Sequence, residues 1–313
     1  MGSFFEVRLP AAMAGALALS CRALDLIEEL EGQLTVYRDD SEVSELNRTA
    51  HLAPVQVERR LFGLLNVAVH ISRDTGGAYD VTSGALSEAW GFVKGPKRVP
   101  DAVALAEARA RTGWQHLRLD PEAFTVAFDR EGIRINLGSI GKGYAIDRAI
   151  ELIRAHSLFD SALVHGGQSS LYALGSPPGQ FAGRWEVALR NPLDPEKPLG
   201  VLRLRNRGLG TSGSAFQQFV VDGKVYGHII DPRSGEPAPG PSSVTVLAPS
   251  AAMADALSTA FYLLGPQAAA NYAAEHPEVG IVVVQEPTAS ESPRILVFGL
   301  TESDFVPADQ SVN

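Results

Sequence analysis

The stretch Ile133-Arg134-Ile135-Asn136-Leu137-Gly138-Ser139-Ile140-Gly141-Lys142-Gly143-Tyr144-Ala145-Ile146-Asp147 changes period in its middle. Ile133, Ile135 and Leu137 alternate as a strand does, whereas Ile146, Ala149, Ile150 and Ile153 recur at i, i+3, i+4 and i+7, the spacing of a helix face. A glycine-rich turn joins them. Its glycines let a backbone approach a ligand closely, and the helix start together with Lys142 favours an anion. A Walker A loop does not fit, because that motif needs Gly where Asn136 stands and Ser or Thr where Gly143 stands. The turn is therefore either another phosphate-facing turn or a tight turn with a surface lysine.

A doubly wound protein would repeat this strand–turn–helix unit, and this chain does not. From Ser161 onward strands dominate, at 162–165, 184–190, 200–206, 216–221, 224–230 and 242–248. Helices over 251–264 and 266–275 follow, then strands near 280–285 and 294–299. Mixed strands and helices without βαβ alternation predict an α+β fold. Toward the N-terminus, Phe4 to Leu9 reads as a strand and the next helix runs to about Gln33. A polar loop is expected over Tyr37–Asn47, and a helix over 58–75 that buries Leu61, Leu64, Leu65, Ala68 and Ile71. A short polar helix is expected over 101–112. No internal repeat or linker divides the chain, so one domain is expected over 1–313, with a frayed tail after about 303.

Composition narrows the function. The chain has 313 residues, 45% of them hydrophobic, and a net charge of −9. Such an acidic balance carries no electrostatic footprint for nucleic acid. The lone Cys21 excludes an internal disulfide framework and a zinc cluster. Arg8 and the apolar run Ala11–Cys21 imitate a signal segment, but the apolar pattern continues through Leu24, Ile27 and Leu30 as one amphipathic helix would. No stretch is long enough to span a membrane.

Asp255 and Thr259 stand four residues apart on the helix expected over 251–264, so they share a face, with Ser258 beside them. A carboxylate and a hydroxyl are hard oxygen ligands that suit Mg²⁺. In Thr75-Gly76-Gly77-Ala78-Tyr79-Asp80-Val81-Thr82 the glycines favour a turn, and Tyr79 could stack on a flat ligand. His228 lies late in a strand before the Asp231-Pro232 turn, and its titration near neutrality suits proton transfer or donation to phosphate.

Read in order, these motifs resemble the ApbE-type FAD:protein FMN transferases. The resemblance is carried by Met1-Gly2-Ser3, Tyr37 with Ser41 and Asn47, Gly76 to Asp80, and Gly138 to Asp147. It continues through Gly166-Gly167, Thr211 to Gly213, His228 to Gly235 and Ala254 to Ala260. It implies a magnesium-dependent enzyme that cleaves the FAD pyrophosphate, attaches FMN to a Thr or Ser hydroxyl of a target flavoprotein, and releases AMP. It also implies an active cleft between two strand-rich halves of the domain. By resemblance Asp255, Thr259 and the main-chain carbonyl of Ser139 hold Mg²⁺, and Lys142 stabilises the pyrophosphate. Met1, Tyr37, Ala78, Tyr79, Asp80, Asn136, Ile229 and Ser258 line the nucleotide site with Lys142. His228 is the proton-handling candidate, so His228, Lys142 and Asp255 form the catalytic set.

The chain departs from the family pattern at Gln168, where an Asp is common, and at Ser214-Ala215-Phe216-Gln217, where Asp-Tyr-x-Arg is usual. Those departures fall on the acceptor side of the reaction. Two alternatives follow: a FAD pyrophosphatase giving FMN and AMP, or a flavin-binding protein without catalysis. The chain as it stands implies a cytoplasmic location, or an exported one if a leader has been removed.

Overall fold

The computed structural model describes residues 3–93, 95–156, 160–177, 179, 183–213, 218–285 and 293–308. The chain divides into two compact units. The first comprises Met1, Leu30–Gly141 and Phe216–Pro239; the second comprises Gly2–Glu29, Lys142–Ala215 and Gly240–Asn313. Their segments interleave, so no single cut in the sequence separates them.

In chain order the elements begin β1 (Phe5–Arg8), α1 (Ala16–Leu34), α2 (Glu42–Thr49), β2 (Val55–Gln56), α3 (Arg59–Asp74), α4 (Gly84–Ala89) and α5 (Ala102–Ala110). Next come β3 (Leu117–Asp120), β4 (Thr125–Phe128), α6 (Gly141–Arg154), β5 (Ala162–Gly166), β6 (Ser170–Leu174), β7 (Trp185–Leu189) and β8 (Gly200–Leu204). The remainder are β9 (Arg207–Gly213), β10 (Gln218–Val221), β11 (Lys224–Gly227), β12 (Ser243–Ala248), α7 (Ala251–Leu264), α8 (Pro266–Glu275), β13 (Gly280–Gln285), β14 (Arg294–Phe298) and β15 (Phe305–Pro307).

The second unit is built on a seven-stranded sheet in the order β1-β5-β6-β9-β12-β13-β14, with every neighbouring pair antiparallel. Side chains alternate across it. On one face Leu163, Leu171, Ala173, Leu209, Leu247 and Val282 pack with Leu189, Leu202, Leu204 and Phe305 of a small sheet ordered β15-β8-β7. The opposite face of β9 carries Gly208, Gly210 and Ser212, and α7 lies directly on it. A Cβ at Gly208 would stand 2.3 Å from Ala251 N, and one at Gly210 would stand 2.5 Å from Ala254 C and Asp255 N. Only glycine admits so close an approach of helix to strand.

The first unit gathers α2 to α5, the sheet β2-β4-β3 and the hairpin β10–β11. Helix α3 buries Leu61, Leu64, Leu65, Ala68 and Ile71, the face its spacing predicts. Leu86, Trp90, Ala108 and Ile230 form a second core, with Phe219 and Tyr226 of the hairpin packed against it. The buried Trp90 donates its indole N–H to the carbonyl of Gly235 at 2.9 Å.

Several expectations are corrected. Residues 133–137 bury Ile133, Ile135 and Leu137 as alternation predicts, yet they form no strand, only an isolated bridge from Arg134 to Ser83. The Asn47 side chain takes the place of a neighbouring strand: its Oδ1 accepts from Ile135 N at 2.7 Å and its Nδ2 donates to Ile135 O at 2.9 Å. The expected loop at 37–47 ends in α2, because Ser41 caps the helix and Val43, Leu46 and Asn47 supply a buried face. Strands β6 and β9 interrupt what the sequence leaves as loops. The tail does not fray at 303, since Phe305–Pro307 pairs antiparallel with Gly200–Leu202 and Phe305 is buried. No described helix is long and apolar enough to cross a membrane.

Candidate active site

Helix α7 begins where Ser250, in extended conformation, accepts from Met253 N, and ends at Gly265, whose φ is 80°. These two residues set where α7 starts and stops. The Asp255 side chain is buried. Its Oδ2 accepts the backbone N–H of Gly143 at 2.8 Å, and its Oδ1 accepts the Ser170 hydroxyl at 2.7 Å. Burial pushes the Asp255 carboxyl up to about 6; the charge of Lys142 and the donors Ser170 and Gly143 oppose that rise. One helical turn on, the Thr259 hydroxyl contacts the Asp255 carbonyl at 3.4 Å. Ser212 of β9 lies 2.8 Å from the Ser258 hydroxyl and 3.0 Å from that of Thr259. The second unit brings Lys142, Asp255, Ser258 and Thr259 together with Ser170, Ser212 and Gly143.

Helix α6 supplies the other side of this cluster. A Cβ on Gly143 would stand 2.2 Å from the carbonyl oxygen of Ala251, so α6 and α7 meet backbone to backbone. One turn after Gly143, Asp147 accepts from Ala251 N at 2.8 Å and from Ala252 N at 2.9 Å. Enclosure of its carboxylate also pushes Asp147 up to about 6, against the pull of those two N–H groups.

Among the described residues no group of three or more His, Cys, Asp and Glu could hold a metal. One buried carboxylate and one hydroxyl do fit a hard cation that keeps most of its coordination for water and phosphate. Among the described residues each Asp255 oxygen accepts a single hydrogen bond, which leaves lone-pair capacity for such an ion. The donor set fits a hard cation such as Mg²⁺ or Mn²⁺ and does not fit a soft metal.

The remaining predicted residues belong to the first unit. Asn136 accepts from Gly138 N at 2.9 Å, which shapes the turn that carries Ser139 into α6. Ala78 and Tyr79 are each 1% exposed, so the Tyr79 ring offers no open face for stacking, contrary to the sequence reading. Asp80 is buried and structural in its bonding. Its Oδ1 accepts from Thr82 N and Oγ1, and its Oδ2 accepts from Trp114 N at 2.8 Å. Burial raises its carboxyl above the ordinary value. Tyr37 is exposed and Ile229 buried. His228 is half-buried, with its ring edge-on to Phe92 at 6.5 Å. A polar cavity of about 780 Å³ in this unit, lined by Arg48, His51, Glu88, Arg111 and Arg134 among others, includes no predicted ligand of nucleotide or metal. Met1 and Ser214–Gln217 lie outside the described residues. Gln168 accepts a hydrogen bond from Arg190.

An antiparallel sheet that carries a carboxylate-and-hydroxyl helix on a glycine-lined strand, with a lysine at the start of the adjoining helix, defines an α+β protein. Residues 1–283 match the model of the ApbE family. The chain is 36% identical over 272 residues to the FAD:protein FMN transferase of Treponema pallidum, covering 83% of this chain and 75% of that protein. The crystal structure of the ApbE protein of Thermotoga maritima superposes with a TM-score of 0.83 at 27% identity, covering 95% of this chain and 96% of that one. The flavin transferase ApbE of Vibrio cholerae gives a TM-score of 0.82 at 26% identity, covering 95% and 94%. The chain belongs to the ApbE family.

Proposed function

We propose that this protein is a FAD:protein FMN transferase. It moves FMN from FAD to a Thr or Ser hydroxyl of a flavoprotein acceptor and releases AMP. The observation that carries this reading is the junction of α6 and α7. Lys142 acts electrostatically on a buried Asp255 there, beside Thr259, in a chain of the ApbE family. In the reaction the bond from the FMN phosphorus of FAD to the bridging pyrophosphate oxygen breaks. The acceptor oxygen takes its place on the FMN phosphorus, AMP leaves with the bridging oxygen, and the hydroxyl proton is released.

Phosphoryl transfer of this kind depends on positioning and charge neutralisation more than on covalent help. Asp255, Thr259 and the main-chain carbonyl of Ser139 would hold Mg²⁺, which when bound neutralises pyrophosphate charge as a Lewis acid. Lys142 adds a second positive charge on the phosphates. Ser170 and Gly143 keep the Asp255 carboxylate fixed, so little reorganisation is needed as charge develops. The exposed Tyr37 ring and the backbone of the Gly138–Gly141 turn would contact the nucleotide. His228 handles the proton.

The test is incubation with FAD and Mg²⁺, with and without a family flavoprotein acceptor. Covalent flavin on the acceptor supports transfer. Free FMN and AMP without acceptor labelling would assign the chain as a FAD pyrophosphatase, and unchanged FAD would leave only flavin binding.

A further inference from the structure

The first turn of α7 is held from outside the helix. Its leading N–H groups have no partner within the helix itself. Met253 N and Ala254 N are satisfied locally by Ser250, through the side chain and the carbonyl at 3.1 Å each. Ala251 N and Ala252 N are satisfied by the two carboxylate oxygens of Asp147, at 2.8 and 2.9 Å. A helix already capped by Ser needs no second acid, because water satisfies the remaining groups at ordinary helix starts. Enclosing a carboxylate for that purpose is unfavourable in itself. Stability of α7 alone does not explain the arrangement.

Position does. Gly143 and Asp147 are one turn apart on the same face of α6. Gly143 donates to Asp255 Oδ2 and touches the Ala251 carbonyl, while Asp147 grips Ala251 and Ala252 from the N-terminal side. Two fixed points set both the separation and the rotation of α7 against α6. Lys142 sits beside the first point, and Asp255, Ser258 and Thr259 project from the helix being held. We propose that Asp147 is a positioning residue, whose bidentate hold on α7 sets Asp255 and Thr259 in register with Lys142 for cation binding. This rests on the reading of α7 as the cation-holding helix. Supporting partners of metal ligands characteristically change affinity about 10–100-fold when removed.

The experiment measures Mn²⁺ binding by electron paramagnetic resonance with no FAD present, and thermal unfolding without metal. The proteins are the wild type, Asp147→Asn, Asp147→Glu and Ser250→Ala. Asn keeps one acceptor but sets an amide N–H₂ against the second backbone N–H. Asp147→Asn should weaken Mn²⁺ binding about tenfold and raise by a similar factor the Mg²⁺ needed for half-maximal transfer. The KM for FAD at saturating Mg²⁺ should stay within about twofold. Ser250→Ala should lower the melting temperature and leave Mn²⁺ affinity unchanged. Asp147→Glu keeps both acceptors but displaces α7, and should weaken Mn²⁺ binding even if the Asn variant does not fold. Unchanged Mn²⁺ affinity in the Asp147 variants, with a lowered melting temperature, would make Asp147 a purely structural cap and overturn the proposal. A wild type that binds no Mn²⁺ and transfers FMN without a divalent cation would overturn the metal reading itself, and this proposal with it.

Discussion

The Ser170 hydroxyl donates to Asp255 Oδ1 at 2.7 Å across 85 residues of sequence, and both side chains are buried. Ser170 opens β6, and Asp255 faces the sheet from α7. The pair couples the strand that follows the Gly166-Gly167 turn to the residue proposed as the charged cation ligand. Ser170→Ala leaves a buried carboxylate oxygen without its donor. Loss of a hydrogen bond to a charged buried group costs about 1–3 kcal/mol, read as a lower urea midpoint at pH 7.5 without metal. Ser170→Thr should recover most of it.

Stability should carry the signature of the buried acids. Asp255 and Asp147 are each pushed up to about 6 from an ordinary 3.8, chiefly by burial. Between about pH 4 and pH 6 the folded chain therefore keeps protons that the unfolded chain releases. Stability from these groups is greatest below that window, falls as pH rises through it and levels off above. Asp255→Asn has no charge to bury and should lose its share of the decline, seen by comparing melting temperatures of the two proteins from pH 4.5 to 7.5. Mg²⁺ should stabilise the wild type more at pH 7.5 than at pH 5.5, because the ion requires the ionised carboxylate.

Lys142 holds Asp255 below where burial alone would place it. Lys142→Met should therefore raise the Asp255 pKa further and move the acid limb of the transfer rate to higher pH. Transfer at the optimum should fall by about 10²-fold or more, the scale for loss of one charge-stabilising group. A pH–rate profile at saturating FAD reads both effects. An unmoved acid limb would separate Lys142 from Asp255.

The glycines of β9 allow a paired test. Gly210→Ala would place a Cβ 2.5 Å from the backbone of Ala254 and Asp255, so α7 must move. Overpacking of this kind costs about 1–3 kcal/mol and should weaken Mg²⁺ activation as well. Gly63→Ala, on an exposed position of α3 with nothing within 4 Å, should instead stabilise by about 0.5–1 kcal/mol. Calorimetry of both variants against the wild type checks the contrast.

In the first unit Asn47 replaces a strand. Asn47→Ala abandons the N–H and the carbonyl of Ile135 in a buried setting. The expected loss is roughly 2–4 kcal/mol, from two backbone groups left unsatisfied. Chemical denaturation reads it directly.

Where local signals were complete, the sequence was legible to the residue. Helix α7 runs over 251–264 and α8 over 266–275 as expected, because Ser250, Gly265 and Pro266 mark start, stop and restart. The shared face of Asp255, Ser258 and Thr259 was legible from helical spacing, whereas the nearness of Lys142 to Asp255 was implied only by the family resemblance. Strand β9 was not, because Gly208 and Gly210 read as turn residues. Their reason is the approach of α7, a tertiary fact with no local trace. Ser170 was missed likewise, since nothing near it in sequence points to Asp255. Residues 133–137 misled in the other direction: alternation reports burial, and Asn47 had removed the need for a sheet partner.

The interleaved segments of the second unit bear on how the chain reaches its native state. Strand β1 pairs with β5 more than 150 residues later, and β9 waits for β12. During synthesis on the ribosome the emerging N-terminal half therefore has no finished sheet to join. Contacts of such long sequence separation make folding slow, and β1 and the apolar face of α1 stay uncovered until the later strands arrive. Fragments ending before Ser243 should aggregate rather than fold, and expression at low temperature or with chaperones should raise the yield of the whole chain more than any single stabilising substitution.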